Sequence, residues 1–332
     1  MKCPRLPEIA FPGASDASDK VIFFKTWIVA LEETMGQGRG SEVMRSPQSP
    51  KKKRHNRRGF RYIVRCSYSL NDRKRLLAHE RLADLPLPPH TQYETCKRLD
   101  LFFGRLLSGP IKGTLLDAGC GRDFFTIEAA RRGAQTVAVD IGPRLVDRVT
   151  RNCSCSGVVA DVTVLPFKSN TFDVVISSEV IEHMREPSLA IAEMFRVTKS
   201  GGSLALSTPN KLWFPMIRLA EFLGIRKVRA LENWIWPWTL IGWMRTIGFR
   251  VRAVIGFNFI PFIWPQLFGL VTFLDRLERL FPLAINIAIL AEKPREHSQP
   301  PRKSAAYQNR ALNNLRCKST IVRFENRQSG SW

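Results

Sequence analysis

Acidic side chains are scarce in this chain. There are 29 against 51 lysines and arginines in 332 residues, a formal net charge of +22 at pH 7. Residues 1–109 carry +10 of that excess and residues 294–332 carry +6, so most of it lies outside the middle. Such a bias reads first as solvated basic tails and second as contact with nucleic acid or anionic lipid. A paired cysteine framework is also missing. The seven cysteines are an odd, scattered set, which excludes a disulfide-stapled secreted scaffold. Cys153 and Cys155 form a lone C-x-C with no second pair at zinc-finger spacing, and read as two ordinary thiols. The start, MKCPRLPEIAFPG, lacks a charged segment followed by an apolar core, so no signal peptide is expected and the setting reads as reducing and intracellular. No internal repeat is visible.

The composition divides the chain in three. Residues 1–85 read as a basic, largely disordered extension, with GQGRGSEVMRSPQSPKKKRHNRRGF (36–60) rich in Gly, Ser, Pro and one sign of charge. The run PKKKRHNRR has the look of an import address or a contact for an acidic surface, and short basic runs recur by chance. Residues 294–332 read as a disordered basic tail. Between them, residues 86–293 alternate apolar strands with helices. YETCKRLDLFFGRLL has helical spacing. GTLLDAG, TVAVD, GVVAD, FDVVIS and SLALST read as strands. FFTIEAARRG, PRLVDRVTRN and PSLAIAEMFRVTKSGG read as helices, the last ending in glycine. The expectation is an α/β, Rossmann-like, doubly wound sheet of seven mostly parallel strands with helices on both faces. Right-handed crossovers then bring the strand ends to one edge, where ligands bind in such sheets.

The stretch LLDAGCGRDFF places Gly119 and Gly121 between a strand and a helix, which brings main chain against a ligand. The third glycine of a dinucleotide fingerprint would fall at Phe124, so a pyrophosphate is disfavoured. Asp140 closes the next strand, where an acid can accept both hydroxyls of a ribose. Asp161 closes the one after, where it can meet an exocyclic amine of a base, with Val162 against the ring. Three acids on successive strand ends describe a site for an adenosine with a compact charged tail.

These residues, with VVADVTVLPFKSNTFDVVISSEVIEH and KSGGSLALSTPN in order behind them, resemble the class I S-adenosylmethionine-dependent methyltransferases over about residues 93–293. The resemblance implies S-adenosyl-L-methionine as cofactor. Asp117, Gly119, Cys120 and Gly121 would surround its methionine part, Asp140 its ribose, and Asp161 and Val162 its adenine. It further assigns Ile141 and Ser178 to the same site. Where the family has a third glycine this chain has Asp123, an acid near the expected cofactor carboxylate unless it turns toward the ammonium or solvent.

SEVIEHMREP follows the fourth strand. As a helical turn it would align Glu179, Glu182 and His183 on one face, suited to a divalent ion or to His183 as a base. This E-x-x-E-H is similar to that of the ubiquinone-biosynthesis O-methyltransferases and of the small-RNA 2′-O-methyltransferases, and the resemblance implies a metal at these positions. The RNA type also needs a later histidine, and the chain offers only His297 in its tail. The other reading is support of the cofactor pocket without metal.

Residues 211–240 hold four tryptophans and, with 257–282, read as apolar segments capping an acceptor pocket. WTLIGWMRTIGF reads as the last helix before strand six, and INIAILAEKP as strand seven. AVIGFNFIPFIWPQLFGLVTFL (253–274) is free of charge. It reads as a strand and then an apolar helix, for the core, the pocket or a membrane interface. The expected enzyme is a cytoplasmic, membrane-surface-compatible transferase that methylates an oxygen, less readily a carbon or nitrogen, of an apolar or lipid-like small molecule. RNA methylation through the basic tails and a non-catalytic binding protein are the alternatives.

Overall fold

The computed structural model describes residues 61–65, 89–223, 232–259, 278–295 and 320–324. Their strands are β1 (Arg61–Arg65), β2 (Thr114–Ala118), β3 (Gln135–Asp140), β4 (Ser156–Val159), β5 (Phe172–Ser178), β6 (Thr198–Pro209), β7 (Arg250–Phe257), β8 (Asn286–Glu292) and β9 (Thr320–Phe324). The helices are α1 (Pro89–Asp100), run on by a π-helical turn (Leu101–Leu106), then α2 (Phe124–Arg131), α3 (Pro143–Asn152), α4 (Pro187–Val197), α5 (Phe214–Phe222) and α6 (Pro237–Ile247).

One sheet holds the strands in the order β7-β8-β6-β5-β2-β3-β4-β1-β9. Strands β4, β3, β2, β5 and β6 run parallel, and β8 is antiparallel to both β6 and β7. The expected seven-stranded sheet is therefore present in β4 to β7. The chain steps outward from β2 to β4 and returns to β5 on the other side of β2. That reversal opens a crevice beyond the carboxyl ends of β2 and β5.

Alternation along the strands divides the core. Leu116, Ala118, Leu204, Leu206, Ile287 and Ile289 pack with α4 and α6. Leu115, Ile176, Ala205 and Ala288 face the other way, with α2 and the π turn that extends α1. A period of two puts every second residue on each face, so short strands bury both sides.

Three expectations change. Helix α4 does not continue to the glycines: it stops at Val197, and Lys199 to Gly202 already belong to β6, with Gly201 at φ +81°. Strands β1 and β9 fall inside the segments expected to be disordered. β1 pairs parallel with β4 and antiparallel with β9, so two short apolar runs, RYIVR and TIVRF, set in basic low-complexity surroundings are paired at a sheet edge. The remainder of 1–85 and of the tail lies outside the described residues. So do residues 260–277, which hold most of the charge-free run and of its expected helix, and residues 224–231 of the cap. Among the described residues no helix is long and apolar enough to cross a membrane.

Candidate active site

The crevice is built from the turn after β2 outward. Asp117, on β2, is buried and accepts from Thr126 Oγ1 at 2.6 Å. Burial pushes its carboxyl up to about 7, against the Thr126 bond and with help from the charge of Asp140. Gly119 sits at φ +91°, and a Cβ there would be driven into the Val180 side chain. Gly121, at φ +50°, has open space where its Cβ would lie. The two glycines thus differ: the first is demanded by packing, the second leaves the crevice clear. The N–H groups of Gly119 and Cys120 both donate to Val139 O, at 2.8 and 2.9 Å, and tie the turn to β3. Cys120 turns its side chain into a small cluster with Ala138 and Val149, and burial raises its thiol well above its usual range. Only its main chain is left for a ligand.

Asp140, at the end of β3, accepts from Gly121 N at 3.0 Å on Oδ2 and from Gly142 N at 2.9 Å on Oδ1. Two main-chain donors, one to each oxygen, fix the carboxylate. Ile141, half-buried, follows in the turn. Asp161 stands two residues beyond β4. Its Oδ1 accepts from Thr163 N and Oγ1, and among the described residues its Oδ2 has no partner. Val162 does not stand open toward a ring as expected: its side chain is buried in the cluster packed with α4 and α6. Ser178, the last residue of β5, lies 3.2 Å from Ser207 Oγ through its hydroxyl.

Asp123 adopts φ +78°, a left-handed conformation that glycine takes more readily. It does not face solvent. Buried to 3% exposure, it accepts from Asn152 Nδ2 at 2.6 Å and Arg148 Nε at 3.4 Å, both from α3. Spacing gave no sign of this anchor, because its partners lie 25 and 29 residues away.

The E-x-x-E-H stretch is not a helical face. Glu179 takes φ +56°, and only Ile181–His183 forms a turn, of 3₁₀ type. Glu179 accepts from Ser207 Oγ at 2.9 Å and Asn286 Nδ2 at 3.0 Å, with Arg98 Nη1 3.9 Å from its Oε1. Glu182, 3% exposed, accepts from Thr208 Oγ1 at 3.1 Å, and His183 Nε2 stands 4.0 Å from its Oε1. Burial, then the charge of Glu179, pushes Glu182 far above the ordinary carboxylate range; burial raises Glu179 too, against Arg98. Among the described residues no three His, Cys, Asp or Glu side chains gather to hold a metal ion. The metal reading does not fit, because the carboxylates turn to hydroxyl and amide donors and one faces Arg98. Ser207, Thr208, Asn286 and Arg98 were not foreseen. They lie on β6, β8 and α1, and only the sheet order brings them beside the end of β5.

The cap is stitched to this turn. Asn233 N donates to Glu182 O at 2.6 Å, and Asn210 bridges Ile235. Trp234 is buried with its ring 6.0 Å from Phe214, and Trp213 Nε1 donates to Leu283 O at 3.0 Å. Beyond it Leu219, Phe222 and Leu223 on and after α5 are exposed, Phe222 to 86%.

A family model described as a methyltransferase domain matches residues 116–206. The ubiquinone biosynthesis O-methyltransferase of Xanthomonas axonopodis pv. citri (strain 306) is 30% identical over 178 residues, which cover 49% of this chain and 73% of that protein. That of Pseudomonas paraeruginosa is 29% identical over 160 residues, covering 45% and 69%. Among solved structures, the N-methyltransferase NodS of Bradyrhizobium japonicum WM9, in complex with S-adenosyl-L-homocysteine, is 16% identical, with a TM-score of 0.46, over 66% of this chain and 98% of that one.

Proposed function

Because the chain belongs to the class I S-adenosylmethionine-dependent methyltransferases, we propose that it methylates an oxygen of an apolar small-molecule acceptor. Bound S-adenosylmethionine supplies the electrophilic methyl, so the protein's task is to hold, align and exclude water. The observation that carries the reading is Asp140, whose carboxylate is fixed at the end of β3 by the N–H groups of Gly121 and Gly142, the place that suits the two ribose hydroxyls. The unpartnered Oδ2 of Asp161 suits an exocyclic amine on the adenine. The open main chain at Gly121, beside Asp117, suits the methionine part.

His183 is the group to take the acceptor's proton. It is partly exposed at the carboxyl end of β5, beside a glutamic acid that burial keeps from competing as a charge. The names of the relatives support oxygen as the methylated atom. Trp234 and Phe214 at the cap, and the exposed Leu219, Phe222 and Leu223, support an apolar acceptor reached from a membrane surface.

Two measurements test the reading. Calorimetry should show S-adenosylmethionine binding that weakens at least about tenfold in Asp140→Ala, the loss of roughly one charge-assisted bond. Labelled-methyl transfer to pooled phenols, lipids and RNA should mark the phenols or lipids. Unchanged affinity in the variant, or label on RNA alone, rejects it.

A further inference from the structure

Between β4 and β5 the chain runs from Ala160 to Thr171 in irregular structure, and near its start stands Asp161, the acid assigned to the adenine. Ala160 N donates to Asp140 O at 3.0 Å, and Val164 N closes a tight turn onto Asp161 O at 2.9 Å. Asp161 is thus held on its leading side by β3. On its trailing side the anchor is Leu165, and Leu165 is held by α4. Its N–H donates to Glu193 Oε2 at 2.8 Å, and its carbonyl accepts from Arg196 Nη2 at 2.9 Å. Arg196 Nη1 also donates to Phe167 O at 2.7 Å. The two side chains lock each other, with Nε on Oε1 at 2.7 Å and Nη2 on Oε2 at 2.8 Å.

Such a pair is poor filler for a core. The Glu193 side chain is 1% exposed and that of Arg196 15%, in a helix whose other buried residues are apolar. Taking two charges out of water offsets much of their attraction, and apolar side chains of the same volume commonly stabilise a core as well. What apolar side chains do not supply is three directional bonds to the main chain of one irregular segment. A planar guanidinium in bidentate register with a carboxylate fixes where those bonds point.

We infer that Glu193 and Arg196 are positioning residues for the adenine: through Leu165 they hold Asp161 at the place from which its Oδ2 accepts the exocyclic amine. They act through the main chain of the segment and take no part in methyl transfer. The inference rests on the reading of Asp161 given above.

The test compares S-adenosylhomocysteine with its analogue bearing hydrogen in place of the 6-amino group, by calorimetry on the full chain. The wild-type protein should prefer the parent compound by at least about tenfold, the effect of one hydrogen bond to a charged acceptor. Asp161→Ala should bind both compounds equally. Arg196→Lys keeps the charge and loses the fork. It should bind the parent compound about tenfold more weakly and the analogue within about threefold of wild type, so that the preference collapses. A purely structural pair would weaken both compounds alike, and that result overturns the inference. Glu193→Gln, close in size to the native side chain, is read the same way if Arg196→Lys does not fold. In the wild-type protein the Leu165 N–H should exchange with solvent as slowly as the core strands, and rapid exchange overturns the clamp without any variant. A wild-type protein with no preference rejects the reading of Asp161 itself. A preference that Asp161→Ala abolishes and Arg196→Lys retains rejects the clamp alone.

Discussion

The Thr126 hydroxyl donates to Asp117 Oδ2 across 2.6 Å, joining α2 to β2 beneath the glycine turn where water does not reach. Burial raises Asp117 from 3.8 to about 7, so the folded chain holds a proton that the unfolded chain releases near pH 4. Its stabilising share is complete below that pH and is lost as pH rises through 7. We expect stability, read by urea unfolding, to fall across this window by on the order of 4 kcal/mol from this group alone. Asp117→Asn should remove that share of the slope. A stability difference between variant and wild type that stays constant from pH 4 to 8 would reject the assignment.

Gly119 and Gly121 should separate folding from binding. Gly119→Ala meets both a left-handed φ and the Val180 side chain, and is expected to cost about 2 kcal/mol or more in unfolding free energy. Gly121→Ala meets only the φ, about 1 kcal/mol, but puts a methyl into the crevice. Its main signature should be weaker S-adenosylmethionine binding. Equal thermal shifts in both variants would contradict this division.

At position 123 alanine should be worse than glycine. Both variants lose the bonds to Asn152 and Arg148, but only alanine must hold φ near +78° without a side chain that bonds locally. Urea midpoints should place Asp123→Ala below Asp123→Gly by roughly 1 kcal/mol. The reverse order would mean that the backbone relaxes elsewhere.

Glu182 and His183 should differ in kind. Glu182→Gln keeps the size of a carboxyl that burial already holds toward its neutral form, so unfolding free energy at pH 7 should change by less than about 1 kcal/mol. His183→Ala should lower kcat by about a hundredfold with cofactor affinity intact, as removal of a general base does. A His183 variant with full kcat would move the proton acceptor elsewhere.

The strand acids were legible because β2, β3 and β4 are short apolar runs with a single acid in or just after each. The switch point follows from their order. The anchoring of Asp123 was not legible, since nothing local distinguishes an acid held by α3 from one facing a ligand. The E-x-x-E-H spacing misled for a related reason. Helical periodicity assumes that Glu179 is helical, whereas Ser207 and Asn286 reach it from strands 28 and 107 residues away and hold it at φ +56°. β1 and β9 are only five residues each, set in basic, Ser- and Asn-rich surroundings that read as disordered, and their pairing is visible only once β4 offers an edge.

The bond from Asn233 N to Glu182 O makes the cap part of the turn that bears His183. A foreign cap grafted onto this sheet would break that seam. In the function proposed here, a change of acceptor made through the cap therefore also disturbs the turn that bears His183.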